Sequence, residues 1–221
     1  PYSEICNDNP KELESIAGGD TCLNDPYGGL AKALRLIHYY GEDIMLRHQA
    51  DWITGWLLKD WTFGEEGNNI KLGWDLISGS WPKNYIFTKW YESLPKVIKS
   101  GKIIGLINNS LAKKLNLNKN IFIVAGTTDS NAAFLASQVK DEEGLTVLGT
   151  TTVLKKHITK PIKKVGITIH RLNDKWICGG SSNAGCGILS QFFSDSELEE
   201  LSKQINPSKK TNLNFLPLNG K

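Results

Sequence analysis

Apolar residues recur at helical spacing through the first sixty positions and at strand spacing towards the end of the chain, and this change of period organises the rest of the reading. In "NPKELESIAGG" Asn9 stands at the cap position, Pro10 at the first helical position, and a Gly-Gly pair where the helix should stop. "DPYGGLAKALRLIHYYGED" and "IMLRHQADWITGWLL" predict two further helices. Between Trp61 and Pro95 the periodicity is lost to Gly, Asn, Trp and Pro, which predicts ordered loops laid over a core, with Trp52, Trp56, Trp61, Trp74, Trp81 and Trp90 packing that region down.

"NNSLAKKLNL" reads as a short amphipathic helix, and "KNIFIVAG" as a strand whose unbroken apolar run predicts burial on both faces. That strand is expected to end at Gly126, with a helix beginning near Asp129 in "SNAAFLASQV". After the charged break "VKDEEG" the pattern turns to strands: "LTVLGTTTVLKKHI" predicts one hairpin and "ITIHRLNDKWICGG" a second, turning at "LNDK". "NAGCGILSQFF" reads as the start of a helix, and "SDSELEELSKQI" as a helix opened by a capping box from Ser194 to Glu197 and closed by Asn206 and Pro207. The boundary between two α/β units is placed at residues 139–144.

Composition narrows the function classes. At 221 residues the chain is long enough for one large or two small domains around a buried core. Its formal charge of +3 is spread over interspersed Lys, Asp and Glu, with no basic arm and no acidic tail, so neither nucleic acid nor a membrane is expected as a partner. The apolar runs are too short to span a bilayer, and Cys6, Cys22, Cys178 and Cys186 form no CxxC pair, which predicts free thiols and a cytoplasmic location. No spacing among His38, His48, His157 and His170 resembles a metal site.

Three small-residue turns follow strand-like runs: "AGTTDS", "LGTTT" and "GGSSNAG". Such turns offer backbone N–H groups and hydroxyls to phosphate oxygens without a cationic side chain. None carries the GxxxxGK[ST] or GxGxxG pattern, which disfavours the P-loop and dinucleotide folds. Asp129 sits where a strand hands over to a helix, a place that suits either a cap or a catalytic carboxylate.

The collinear succession "HQADWITGWLL", "NNIKLGWD", "LPKVIKSGKIIGLI", "VAGTTDSNAAFLAS", "TVLGTTTVLK" and "GGSSNAGCGIL" resembles the FGGY carbohydrate kinases, in particular the D-ribulose and xylulose kinase-like sugar kinases of cyanobacteria and plants. The resemblance implies an α/β, ribonuclease H-like (actin-like ATPase) pair of domains closing on a cleft. Residues 1–140 would be the later part of the sugar-binding domain and 141–221 the earlier part of the nucleotide-binding domain. It implies ATP and Mg2+ as cofactors and a pentulose as substrate, and it places the family's catalytic base on Asp129. The family's phosphate-contacting hairpin falls on Gly149, Thr150 and Thr151, and its later Gly-rich turn on Gly179 and Gly180, with Asn183 at the helix that follows. Glu65 stands where many relatives carry Asp, and Asp51 and Trp52 are expected to anchor a helix rather than touch sugar. The family's first phosphate motif, "DxGT", whose Asp helps hold the metal, and its adenosine segment are expected outside the present ends. Residues 1–221 alone are therefore expected to bind Mg-ATP weakly, with no metal ligand of their own. The competing expectation is a non-catalytic or filament-forming actin-like protein built on the same phosphate hairpins.

Overall fold

The computed structural model describes residues 10–18, 20 and 23–210; the Asn9 cap, Cys6 and Cys22 lie outside them. The chain divides into two compact units, one comprising Pro1–Ala133 with His170–Asp174 and the other Phe134–Ile169 with Lys175–Lys221. The expected boundary at residues 139–144 lies just after the helix within which that division falls.

The predicted helices of the first unit form as α1 (Pro10–Ala17), α2 (Gly29–Tyr40) and α3 (Gln49–Leu58). Helix α2 buries Leu30, Ala31 and Ala33 on one stripe, and Gly41 ends it at φ 81°, a left-handed backbone that glycine adopts without strain. Leu13, Ala17, Leu30, Leu46, Leu72, Tyr85 and Trp90 are among the residues that form the main core. Of the tryptophans expected to pack this region down, Trp81 and Trp90 join that core, whereas Trp52 is 52% exposed. Trp74 meets Trp81 edge-on with ring centroids 5.2 Å apart, Trp81 stacks on Tyr85 at 6.4 Å, and Tyr85 meets Trp90 edge-on at 4.9 Å. Fully buried Tyr85 satisfies its hydroxyl by donating to the Leu72 carbonyl at 3.0 Å.

Strands β1 (Phe63–Glu65) and β2 (Lys96–Ile98) pair in parallel, and the short helix α4 (Glu66–Asn69) follows β1 at once. Strands β3 (Ile103–Leu106) and β4 (Phe122–Val124) pair antiparallel, with α5 (Asn109–Lys114) between them in sequence. Asn108 caps α5 by accepting from the Ser110 and Leu111 N–H groups. The expectation that β4 is buried on both faces is not met. Ile123 packs with Ile107, Ala112, Leu57 and Leu58, whereas Phe122 and Val124, on the other face, are 61% and 44% exposed. Strand β4 pairs with β3 alone among the described residues, and only one face of that pair carries a packed layer. Helix α6 (Asp129–Ala136) begins at Asp129, where the sequence places it.

Four further strands, β5 (Gly144–Leu148), β6 (Thr152–Ile158), β7 (Thr168–Leu172) and β8 (Lys175–Ser182), form a sheet in the order β5-β6-β8-β7, of which β5, β6 and β8 belong to the second unit. Both expected hairpins are present. Leu148 faces Thr152, which leaves Gly149, Thr150 and Thr151 as the connecting turn. Asn173 and Asp174 turn the second at φ 48° and 62°, the left-handed pair that a tight two-residue hairpin requires and that Asn and Asp tolerate. The "NAGCGILSQFF" segment forms a short 3-10 helix, Cys186–Gln191, in place of an α-helix start; no side chain caps it at Gly185. Helix α7 (Asp195–Lys203) carries the full reciprocal capping box between Ser194 and Glu197.

Candidate functional site

Asp129 is the first residue of α6 and is exposed. The Thr128 carbonyl accepts from the N–H groups of Asn131 and Ala132, so Thr128 occupies the cap position and Asp129 the first turn, where the helix dipole favours a negative charge. Its Oδ1 accepts the Ser130 N–H at 2.7 Å, which orients the carboxylate without burying it. Beneath it Asn131 is fully buried, with its amide 3.4 Å from the Thr127 hydroxyl. The arrangement holds an accessible carboxylate on a fixed stalk, as a general base requires.

In the second unit the Gly149–Thr151 turn stands at the end of the β5–β6 hairpin. The Gly149 N–H donates to the Thr151 carbonyl at 3.1 Å, closing the turn on itself. A methyl at Gly149 would meet nothing nearer than that carbonyl, at 3.7 Å, so the backbone is open on that side. Thr150 and Thr151 are exposed, which leaves their hydroxyls available to an oxyanion. Gly179 and Gly180 correct the expected turn: both lie inside β8, paired with Lys155 and Leu154. A side chain at Gly179 would stand 2.8 Å from the Leu154 carbonyl, so its smallness serves close strand approach. The turn itself comes after Ser182, and exposed Asn183 lies on it.

A buried polar cluster in the first unit was not apparent in the sequence. Asp51 of α3 accepts the Glu65 backbone N–H at 2.9 Å and the Asn69 side-chain amide at 3.1 Å. Glu65 in turn caps α4, accepting from the Gly67 N–H at 2.7 Å and the Asn68 N–H at 2.8 Å, and receives the Ser100 hydroxyl. Burial pushes the Asp51 carboxyl up to about 6, against the bonds from Glu65 and Asn69 that pull it down. His48, which precedes α3, is pushed down to about 4 by burial and by nearby Lys71. Glu66 pairs with Arg171 through two bonds, 3.3 Å to Nε and 2.5 Å to Nη2. Asp51 thus anchors a helix, the short α4, through its cap residue Glu65 and through Asn69, while Trp52 is half exposed. Trp52, Trp61, Ile44, Met45 and Arg47 line a shallow cavity of about 350 Å³ that includes neither Asp129 nor the Gly149–Thr151 turn.

Among the described residues no group of three or more His, Cys, Asp or Glu side chains could hold a metal ion, and no helix is long and apolar enough to cross a membrane.

No protein-family model matches the chain. It is 30% identical over 164 residues to the sugar kinase homologue YoaC of Bacillus subtilis (strain 168), a match that covers 70% of this chain and 34% of that protein. Among solved structures, it matches xylulose kinase from Rhodospirillum rubrum with a TM-score of 0.73 at 14% identity, covering 90% of this chain and 45% of that one. It matches Plasmodium falciparum glycerol kinase with ADP with a TM-score of 0.68 at 19% identity, covering 92% and 46%. The likeness to these two structures shows the fold, the α/β architecture that these sugar kinases share. It spans about a third of the sugar kinase homologue and under half of the two kinase structures.

Proposed function

We propose that the chain is part of an ATP-dependent carbohydrate kinase that phosphorylates a hydroxyl of a pentulose such as D-ribulose or D-xylulose. The observation that carries the reading is Asp129, an exposed carboxylate fixed at the first turn of a helix, in a chain with a carbohydrate-kinase fold. In this reading residues 1–140 contribute to the sugar side and 141–221 to the nucleotide side.

Phosphoryl transfer asks a protein mainly to position groups and to stabilise charge. Asp129 accepts the proton of the attacking sugar hydroxyl, and the Ser130 N–H holds the carboxylate in register for it. Gly149, Thr150 and Thr151 receive phosphate oxygens on the open side of their turn, where backbone and hydroxyls would serve in place of a cation. Exposed Asn183 and the strand residues Gly179 and Gly180 complete the nucleotide side. When bound, Mg-ATP supplies the transferred phosphoryl group and the metal's charge neutralisation. A likeness to a glycerol kinase with ADP supports the choice of nucleotide, and one to a xylulose kinase supports the choice of sugar class.

Coupled ADP release from the complete gene product, measured with and without D-ribulose, D-xylulose, glycerol and gluconate, tests the reading. Stimulation by a pentulose supports it. ATP turnover indifferent to every sugar would favour a nucleotide-binding protein without sugar kinase activity.

A further inference from the structure

We infer that Gly185 and Gly187 are positioning residues that seat the Gly149–Thr151 turn in its phosphate-receiving shape, an inference that rests on the nucleotide reading of that turn. The segment after β8 lies directly against the turn. The Cys186 N–H donates to the Gly149 carbonyl at 2.8 Å, the Gly187 N–H to the Thr150 carbonyl at 3.3 Å, and the Thr152 hydroxyl to the Ala184 carbonyl at 3.2 Å. Two consecutive carbonyls of the turn are thereby held by two nearby amides, which turns them away from any anion on the other side.

The approach is possible only because both residues lack a side chain. A methyl at Gly185 would stand 2.5 Å from the Thr150 carbonyl oxygen, 2.6 Å from the Thr151 carbonyl carbon and 2.7 Å from the Thr151 Cα. All three are backbone atoms, which cannot swing aside as a flexible side chain can. Gly185 has φ −105°, a conformation open to any residue, so space and not backbone freedom selects glycine here. A methyl at Gly187 would meet the Thr150 Cγ2 at 2.5 Å, with the Thr150 carbonyl oxygen and Cα at 3.1 and 3.2 Å. Neither glycine contributes a phosphate-binding group of its own in this account. Each acts through the turn.

The test uses the complete gene product carrying Gly185→Ala, Gly187→Ala, or Gly187→Ala with Thr150→Ser, which removes the Cγ2 and keeps the hydroxyl. Hydrogen exchange over peptides containing the Cys186 and Gly187 amides reports the clamp, and the KM for ATP against that for sugar reports its consequence. Gly185→Ala should speed exchange at both amides and raise the ATP KM by about tenfold or more, with the sugar KM within about twofold. Gly187→Ala should do the same more weakly, and Thr150→Ser should recover much of its loss. Protected amides with an unchanged ATP KM in Gly185→Ala would overturn the inference, as would a Gly187→Ala defect indifferent to Thr150→Ser should Gly185→Ala fail to fold. Freed amides with an unchanged ATP KM would uphold the clamp and instead overturn the assignment of the turn to phosphate.

Discussion

The buried carboxylate of Asp51 accepts the Glu65 backbone N–H at 2.9 Å, so helix α3 holds the short helix α4 that Glu65 itself caps. The pH behaviour of this region follows from two groups shifted in opposite directions. Asp51 titrates at about 6 in the folded chain, above its ordinary 3.8, so the folded state holds the extra proton and stability falls as pH rises from about 4 to 6. His48 titrates at about 4, below its ordinary 6.5, so the unfolded state holds the extra proton and stability rises across much the same range. Relative to wild type, Asp51→Asn should gain stability as pH rises from 4 to 6, and His48→Gln should lose it, each by up to about 3 kcal/mol. Thermal melts of the three proteins at half-unit pH steps check this; parallel curves would contradict it.

The Glu66–Arg171 pair gives a second stability prediction. Glu66 is 3% exposed in its side chain, so Arg171→Met leaves a buried carboxylate without its partner. The expected cost is about 3 kcal/mol, the lower end for a broken buried pair because the Arg171 side chain is partly exposed. Adding Glu66→Gln should return much of that loss, since the stranded charge is then gone. Urea melts of the single and double variants decide the matter, and equal midpoints for both variants would count against it.

Much of the local structure was legible in the sequence because its signals are local. The Ser194–Glu197 capping box, the Asn173-Asp174 turn and the helix start at Asp129 each depend on residues within a few positions of one another. What escaped is long-range. Arg171 and Glu66 lie 105 positions apart, and nothing in either neighbourhood announces the pairing. The apolar run of β4 correctly signals a strand but cannot say how many layers cover it, and Phe122 and Val124 stay exposed. The first two amides of the 3-10 helix Cys186–Gln191 donate to the Gly149 and Thr150 carbonyls, a contact between segments far apart in the sequence. The small-residue spacing in "AGCG" was the available trace of that contact, and it reads equally well as an ordinary turn.

Gly149→Val separates binding from folding on the nucleotide side. A methyl there meets nothing nearer than 3.7 Å, so the turn should form and the melting temperature change little. The branched side chain would fill the open side where a phosphate approaches the backbone. The ATP KM should therefore rise by about tenfold or more with the sugar KM nearly intact. Equal loss of both in steady-state kinetics would point to misfolding instead.

The central claim is that Asp129 takes the proton of the sugar hydroxyl, and Asp129→Asn tests it most directly in the complete gene product. The amide oxygen of Asn can still accept the Ser130 N–H, and Thr128 rather than Asp129 occupies the cap, so the fold should survive with its melting temperature within about two degrees. An amide cannot take a proton. Sugar-dependent ADP release with D-ribulose or D-xylulose should fall by about 10² to 10⁴-fold while ATP and sugar still bind. Turnover near that of wild type would contradict the account.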